Sequence, residues 1–315
     1  SERQVARLGY RTVVIGAGNI GITHLKAAKR MDEIETVAVS DTLPERLSQA
    51  AEQFGIRGYE DYRDMIAKEK PDIAVVALPP FLHRDAAVYC AEQGCHLLLE
   101  KPMAMNQAQC DEIIEAARRN GVTLMIGHTV HYMPANRKVK EIIDSGTLGK
   151  LIMINDRRYV SYFDNRLDWF FKKELSGGGI LFNLGSHSID KLQWFTGSRV
   201  KKVKAFTDYS ASPGDIEGAG TVFAETESGV PGIIFHSGYG GVGTNETELI
   251  FTDGILKLDY RVMIGRNKEW QEVELDRQDP YVMQFEELIR SIRTGEETSC
   301  SGEYAKSIIA AIEAI

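Results

Sequence analysis

Residues 11–21 read RTVVIGAGNIG, a short apolar run that breaks into glycines and then opens a helical pattern. Strand, glycine turn, helix is the context in which G-x-G-x-x-G binds a dinucleotide. Gly16 permits the tight turn, Gly18 lets the backbone approach a pyrophosphate, and Gly21 lets the helix lie close on the strand. Asn19 and Ile20 head that helix, where free N–H groups and the positive end of the dipole favour phosphate. Asp41 closes the next β-rich run, TVAVS, 20 residues after Gly21. A carboxylate there accepts the ribose hydroxyls of the adenosine half and repels a 2′-phosphate, which predicts NAD. Thr42 and Arg46 leave NADP open, because an arginine meets a 2′-phosphate or stacks on adenine. Taken singly, the motif is a glycine-rich turn and Asp41 a helix cap.

Working outward, residues 11–127 alternate short apolar strands with helices. DIAVVAL (72–78) is a continuous apolar strand stopped by Pro79-Pro80, and further strands fall at 96–99 and 123–126. Helices are expected at 19–30, 44–54, 59–68, 82–93 and 106–120. Strands apolar on both faces imply a parallel sheet covered by helices on both sides, the doubly wound Rossmann arrangement. After about residue 128 the pattern changes. One helix (135–145) leads into a strand-rich half, with runs at 149–159, 203–209, 220–227, 232–238, 246–252 and 255–259. Alternation in several of these predicts a large, mostly antiparallel sheet with one face on a core, and helices return at 185–195, 280–293 and 302–315. The expected organisation is an α/β dinucleotide-binding domain over 1–128 and an α+β substrate-binding and oligomerisation domain over 129–315.

The 315 residues, 43% apolar and 26% charged, suit two soluble globular domains. A net charge of −8 argues against nucleic acid as a partner, since phosphate backbones need a basic face. No run approaches the roughly 20 apolar residues that span a bilayer, and SERQVARLGY carries no secretory h-region. No membrane association and a cytoplasmic location are therefore expected. Cys90, Cys95, Cys110 and Cys300 form no CxxC pair and have no histidine cluster beside them, so buried thiols and no metal are expected. The chain lacks an initiator Met and its last helix has no stop signal, which reads as a sequence continuing beyond both ends.

Loops at the carboxyl ends of strands border the ligand crevice of an open α/β sheet. Pro79, Pro80 and His83 follow one strand, and Glu100-Lys101-Pro102 ends the next. That makes Pro79, His83, Glu100 and Lys101 cofactor-side candidates, with Lys101 able to meet a substrate hydroxyl. Taken together, GAGNIG, ALPPFLH, EKP and GGGILFNLGSHSIDKLQWFTG, with PANRKVKEIIDSGTLGKL between them, resemble the Gfo/Idh/MocA oxidoreductase family over nearly the whole chain. The resemblance implies that Lys101 is a catalytic or hydroxyl-binding lysine and His187 the general acid/base, and the residues leave open which of the two takes the alcohol proton. It places Asn183 where family members often carry an Asp, so an amide stands in for a carboxylate and can hold a hydroxyl or water instead. Four-residue spacing on one helix would turn Asn183 and His187 to the same ligand. Asp190 also matches a family position, with helix anchoring as its plain alternative role. Tyr132 stands near the place of a family Arg–aromatic pair, with His131 replacing the basic residue.

Arg157, Arg158, Tyr159, Tyr162, Arg166 and Trp169 are candidates for substrate contact, since arginines suit carboxylate or phosphate and aromatic faces suit sugar rings, with ordinary surface and sheet positions the plainer reading for most of them. Of these, Arg158 and Trp169 join Asn183 and Tyr132 as the substrate-binding set. The expected activity is NAD(P)-dependent hydride transfer to or from a secondary alcohol of a sugar, cyclitol or sugar derivative. Redox-neutral glycoside cleavage through transient oxidation, and NAD sensing without catalysis, are the alternatives within the same family. A homodimer or homotetramer is expected by the same analogy.

Overall fold

Val13, Val14 and Ile15 are at most 1% exposed, and their strand, β1 (Tyr10–Ile15), is the pivot of a six-stranded sheet. The structure is a computed structural model that describes residues 9–315. Residues 1–8, part of the segment SERQVARLGY, lie outside the described residues. The chain divides into two units. One runs to Gly127 and includes Asp279–Ala305, and the other comprises His128–Gln278 and Lys306–Ile315.

In the first unit β1 is followed by α1 (Asn19–Ala28), β2 (Ile34–Ser40), α2 (Pro44–Phe54), β3 (Arg57–Tyr59), α3 (Tyr62–Glu69) and β4 (Ile73–Val76). Then come α4 (His83–Glu92), β5 (His96–Leu99), α5 (Gln107–Arg119) and β6 (Leu124–Ile126). The strands lie in the order β3-β2-β1-β4-β5-β6, every neighbouring pair parallel. The order reverses between β1 and β4, the switch point at which such sheets take ligands. Ile73, Ala74, Val75 and Val76 are all 0% exposed, which is why this strand reads as an unbroken apolar run. Asp61 and Asn106 cap α3 and α5 by accepting the N–H of Arg63 and Gln109. The helix expected from Tyr59 begins at Tyr62 instead. Residues 57–59 form an edge strand too short to show any alternation.

The second unit contains α6 (Pro134–Ser145), β7 (Leu151–Ser161), α7 (Lys173–Ser176), α8 (Ile180–Asn183) and α9 (Gly185–Thr196). Seven strands follow: β8 (Val200–Asp208), β9 (Ala219–Thr226), β10 (Pro231–Ser237), β11 (Tyr239–Phe251), β12 (Ile255–Leu258), β13 (Val262–Arg266) and β14 (Glu269–Val273). The sheet order is β14-β13-β12-β11-β7-β10-β9-β8. Only β7 and β10 pair in parallel; the other pairs are antiparallel. On one face Ile154, Val222, Ala224, Ile234 and Leu249 are buried, and α9 packs against β7 and β10 there. On the other face Phe223, Ile233 and Phe235 are 49%, 38% and 42% exposed. β13 and β14 escaped the sequence reading because a glycine and charged residues interrupt their alternation.

After β14 the chain returns to the first unit. α10 (Pro280–Thr294) packs on α1, buries Phe285, Leu288 and Ile289, and pairs Asp279 with Arg30. Beyond it the Cys300 carbonyl accepts the Ile126 N–H at 2.9 Å. The pattern of the sequence places 279–305 in the second domain. An amphipathic helix does not announce which core it covers, and here the apolar partners are in the first. α11 (Gly302–Glu313) closes the described chain. Among the described residues no helix is long and apolar enough to cross a membrane, and the four cysteines are buried.

Candidate active site

At the carboxyl end of β1, Gly16 has φ +100°, and a Cβ there would lie 2.3 Å from the Ala77 carbonyl oxygen. A Cβ at Gly21 would lie 1.8 Å from the Gly16 carbonyl oxygen. Neither position accepts a side chain, so α1 starts hard against β1. At Gly18 an added Cβ meets nothing within 4 Å. That space opens at the head of α1, where Asn19 is exposed, Ile20 half-buried, and no side chain caps the helix. First-turn N–H groups have no acceptor within a helix. Open space beside such donors fits a pyrophosphate.

Asp41 stands next to this turn. Its Oδ2 accepts the Ala17 N–H at 2.8 Å and its Oδ1 the Leu43 N–H at 2.8 Å. The carboxylate is thus fixed beside the glycine turn, with lone pairs left over for further donors. Arg46 is exposed on the first turn of α2, and Pro79 and Pro80 are half-buried after β4. His83 does not belong with them as a ligand contact. It is 0% exposed, with Nδ1 2.8 Å from the Pro102 carbonyl and Nε2 2.7 Å from that of Leu78. The ring braces one loop against the other, and burial pulls its pKa below the ordinary imidazole value.

Glu100 is also turned inward, 5% exposed. Its Oε1 meets His24 Nε2 at 2.8 Å and its Oε2 accepts the Lys101 N–H at 3.1 Å. His24 lies on the buried face of α1, edge-on to Tyr281 and Phe285 of α10. Burial would raise the Glu100 carboxyl, but the hydrogen bond and charge of His24, with Lys101, hold it below the usual range. Glu100 therefore ties the dinucleotide helix to Lys101 rather than facing a ligand. Lys101 is half-buried at the carboxyl end of β5, on the same edge of the sheet as the glycine turn.

In the second unit Asn183 and His187 do not share one helix. α8 ends at Asn183, Leu184 intervenes, and α9 starts at Gly185. The start of α8 is held by Glu217, whose carboxylate accepts the N–H of Gly179 at 2.8 Å and of Leu181 at 2.9 Å. The Glu217 carbonyl accepts the Ile180 N–H at 3.1 Å, and a Cβ at Gly179 would lie 1.9 Å from that oxygen. This close approach accounts for the third glycine of GGG. Asn183 hydrogen-bonds the Tyr162 hydroxyl, which donates to the Gly179 carbonyl at 3.0 Å, so the Asn183 amide is the donor of that pair. Burial pushes the Tyr162 phenol up.

His187 is half-buried on the first turn of α9, and α9 is pinned on two sides. Toward the sheet, Lys191 Nζ donates to Asp156 Oδ1 at 2.9 Å, Thr247 Oγ1 donates to it at 2.5 Å, and Ser188 Oγ donates to Oδ2. His236 Nε2 lies 2.9 Å from Ser188 Oγ. Burial would raise the Asp156 carboxyl; the Lys191 charge and the hydrogen bonds of His236 and Ser188 hold it well below its usual range. On the other side Asp190 Oδ1 lies 2.8 Å from His131 Nε2, and His131 stacks on Trp194 at 4.4 Å. Asp190 thus anchors the helix to the turn at Thr129–Tyr132.

Tyr132 is 5% exposed, leaving little surface for a substrate. Trp169 is half-buried, edge-on to Phe170 at 5.7 Å. Arg157 and Arg158 separate: Arg157 is exposed and donates through Nε to Glu246 at 3.0 Å, while Arg158 is half-buried and donates through Nε to Asn245 at 3.2 Å. Sequence reading missed His24, Asp156, Glu217, Lys191 and His236. The only signal was His24 three residues after Gly21, on the apolar side of α1.

Two family models match this chain. One, described as an oxidoreductase family with an NAD-binding Rossmann fold, covers residues 10–128; the other, the GFO/IDH/MocA C-terminal domain, covers residues 136–257. The chain belongs to the Gfo/Idh/MocA oxidoreductase family. Its first unit is the family's NAD-binding domain. A myo-inositol 2-dehydrogenase of Thermotoga maritima is 26% identical over 94% of this chain and 92% of its own length. The rhizopine catabolism protein MocA of Rhizobium meliloti is 27% identical over 66% of this chain and 64% of its own, so that match spans just under two thirds of the relative. Among solved structures, GenD2 from gentamicin A biosynthesis in complex with NAD is 25% identical, with TM-score 0.85 over 98% of this chain and 94% of that one. Aldose-aldose oxidoreductase from Caulobacter crescentus, at 23% identity and TM-score 0.89 over 97% and 96%, shows the same fold.

Proposed function

We propose that this NAD-binding oxidoreductase transfers a hydride to or from a secondary alcohol of a sugar, cyclitol or sugar derivative. The observation that carries the reading is the link Gly21–His24–Glu100–Lys101. The helix that heads the dinucleotide site holds, through one buried hydrogen bond, the turn that presents a lysine on the same sheet edge. NAD bound on the glycine turn supplies the hydride acceptor.

This chain's groups handle the proton. Loss of hydride from a carbinol carbon requires loss of the hydroxyl proton, and an imidazole exchanges protons near neutral pH. His187 takes that proton. The Lys101 ammonium stabilises the alkoxide as it forms, and Asn183, fixed by Tyr162, holds a neighbouring hydroxyl. Asp41 selects NAD over NADP, because a carboxylate held beside the glycine turn repels a 2′-phosphate. A second copy of the chain covers the open sheet face carrying Phe206, Phe223, Ile233 and Phe235, giving a homodimer or a homotetramer. Myo-inositol and simple aldoses head the substrate panel, following the names of the relatives.

The test is a panel of cyclitols, sugars and polyols offered with NAD and with NADP, followed by the absorbance of the reduced cofactor. Reduction of NAD by at least one of them supports the reading. Release of an aglycone from a glycoside with no reduced cofactor from any alcohol contradicts it.

A further inference from the structure

Arg157 and Arg158 are adjacent in sequence but lie on opposite faces of the second sheet. Successive strand residues alternate, and Arg158 shares its face with buried Asp156, to which Ser188 and Lys191 of α9 are bonded. Arg157 spends its charge on Glu246. Arg158 has no such partner: among the described residues no carboxylate comes within ion-pair range, and its guanidinium makes one hydrogen bond, Nε to the neutral Asn245 amide. The negative charge that acts on Arg158 is Asp156, two residues back, already engaged by Lys191, Ser188 and Thr247. Burial lowers the Arg158 pKa, with Asp156 opposing. A desolvated cation is costly unless it meets an anion.

A second observation lies across the parallel register. His236 pairs with Arg158 and is 0% exposed, yet its Nδ1 has no hydrogen-bond partner. Ser188 donates to Asp156, so the Ser188 oxygen accepts from His236 Nε2 and the proton of the neutral ring resides there. Nδ1 is then a bare acceptor beside a cation without a counter-ion. His236 belongs to the polar cluster beneath Ser188, the residue that follows His187, and Arg158 lies opposite it in the register of β7 and β10.

We propose that Arg158 receives an oxyanion carried by the substrate, so that the sugar or cyclitol turned over is an acid, carboxylated or phosphorylated. The guanidinium fork matches either oxyanion with two parallel hydrogen bonds. His236 Nδ1 accepts a hydroxyl of the same molecule or of a water at its side. The proposal rests on the dehydrogenase reading above, and the two fail differently.

Calorimetric titration of the NAD-loaded protein separates them. The probes are a hexuronate against its parent hexose, a hexose phosphate against the same hexose, and a carboxylated cyclitol against inositol. In the wild-type chain one acid is expected to bind about 10- to 100-fold tighter than its neutral parent, the range of a charged hydrogen-bonded contact. Which acid shows the gain tells carboxylate from phosphate. In Arg158→Met the ratio is expected to fall to about one, and Arg158→Lys to keep part of it. Equal affinity for acid and neutral parent in the wild type, which needs no variant to fold, overturns the proposal, as does an unchanged ratio in Arg158→Met. Neutral polyols oxidised with no preference for acids overturn the anion site and leave the dehydrogenase reading. Acids bound tightly through Arg158 but never oxidised uphold the anion site and overturn the dehydrogenase reading.

Discussion

The glycine turn of the first unit and the α8–α9 segment of the second hold the residues to which the proposed chemistry is assigned, and they are built from different materials. The turn is made of main chain. Gly16, Gly18 and Gly21 fall within six consecutive residues, and the one distant side chain, Asp41, is 20 residues on. The α8–α9 segment is held by side chains from afar. Asp156 reaches Ser188 and Lys191 across 32 and 35 residues, Thr247 reaches Asp156 across 91, and Glu217 caps α8 across 38. A backbone site is robust and readable because its requirements are contiguous. A site held by side chains is exposed to single substitutions far from the residue that does the work.

The largest effect separates chemistry from cofactor binding. Lys101→Met and His187→Ala are each expected to lower kcat by about 10²- to 10⁴-fold, with NAD affinity, read by fluorescence titration, changed by less than about threefold. Near-normal turnover in both would remove these residues from the mechanism. Next comes the scaffold beneath His187. Asp156→Ala strands a buried ammonium and is expected to cost about 3–5 kcal/mol in urea unfolding. Lys191→Met leaves the carboxylate with three other groups around it and is expected to cost less. Equal losses would show that the pair contributes only bulk packing.

A smaller effect probes the first unit. Asp41→Ala is expected to weaken NAD about tenfold and NADP less, so the NAD/NADP ratio measured by titration moves toward NADP. An unmoved ratio removes Asp41 from the ribose. The smallest is a pH slope to which both units contribute. Burial holds His83 and His236 below the ordinary imidazole pKa, whereas the unfolded chain takes up those protons near pH 6.5. Their contribution is complete above about pH 6.5 and is lost as pH falls through that value toward the folded pKa. The loss is at most about 1.4 kcal/mol per pH unit for each ring. The depressed carboxyls of Glu100 and Asp156 add their loss only below about pH 4. Unfolding free energy should therefore decline from pH 7 to 5. A flat profile would mean that the two rings accept protons in place.

What the sequence revealed follows the same division. The parallel sheet was legible because Ile73–Val76 and Leu97–Leu99 are buried on both faces and so read as apolar runs. The glycine turn was legible because close approach admits no other residue at Gly16 and Gly21. Lys101 and His187 stood out through short motifs around them. What stayed hidden depended on tertiary partners. His83 and Glu100 look like ligand residues at strand ends, and only the structure shows their polar atoms turned to Pro102, Leu78 and His24. The start of α8 is fixed by Glu217, which nothing near Gly179 in the sequence announces. α10 belongs with the first unit because His24 and the face of α1 receive Tyr281 and Phe285.

The most direct test follows the hydrogen itself. A cyclitol or sugar from the oxidisable panel, deuterated at each carbinol carbon in turn, is incubated with the intact protein and NAD, and both products are analysed by mass spectrometry. One labelled position is expected to deliver its deuterium to the nicotinamide, with reduced, labelled cofactor accumulating in step with oxidised substrate. Deuterium that stays with the carbohydrate from every position, with no reduced cofactor accumulating while a glycoside is cleaved, would contradict it.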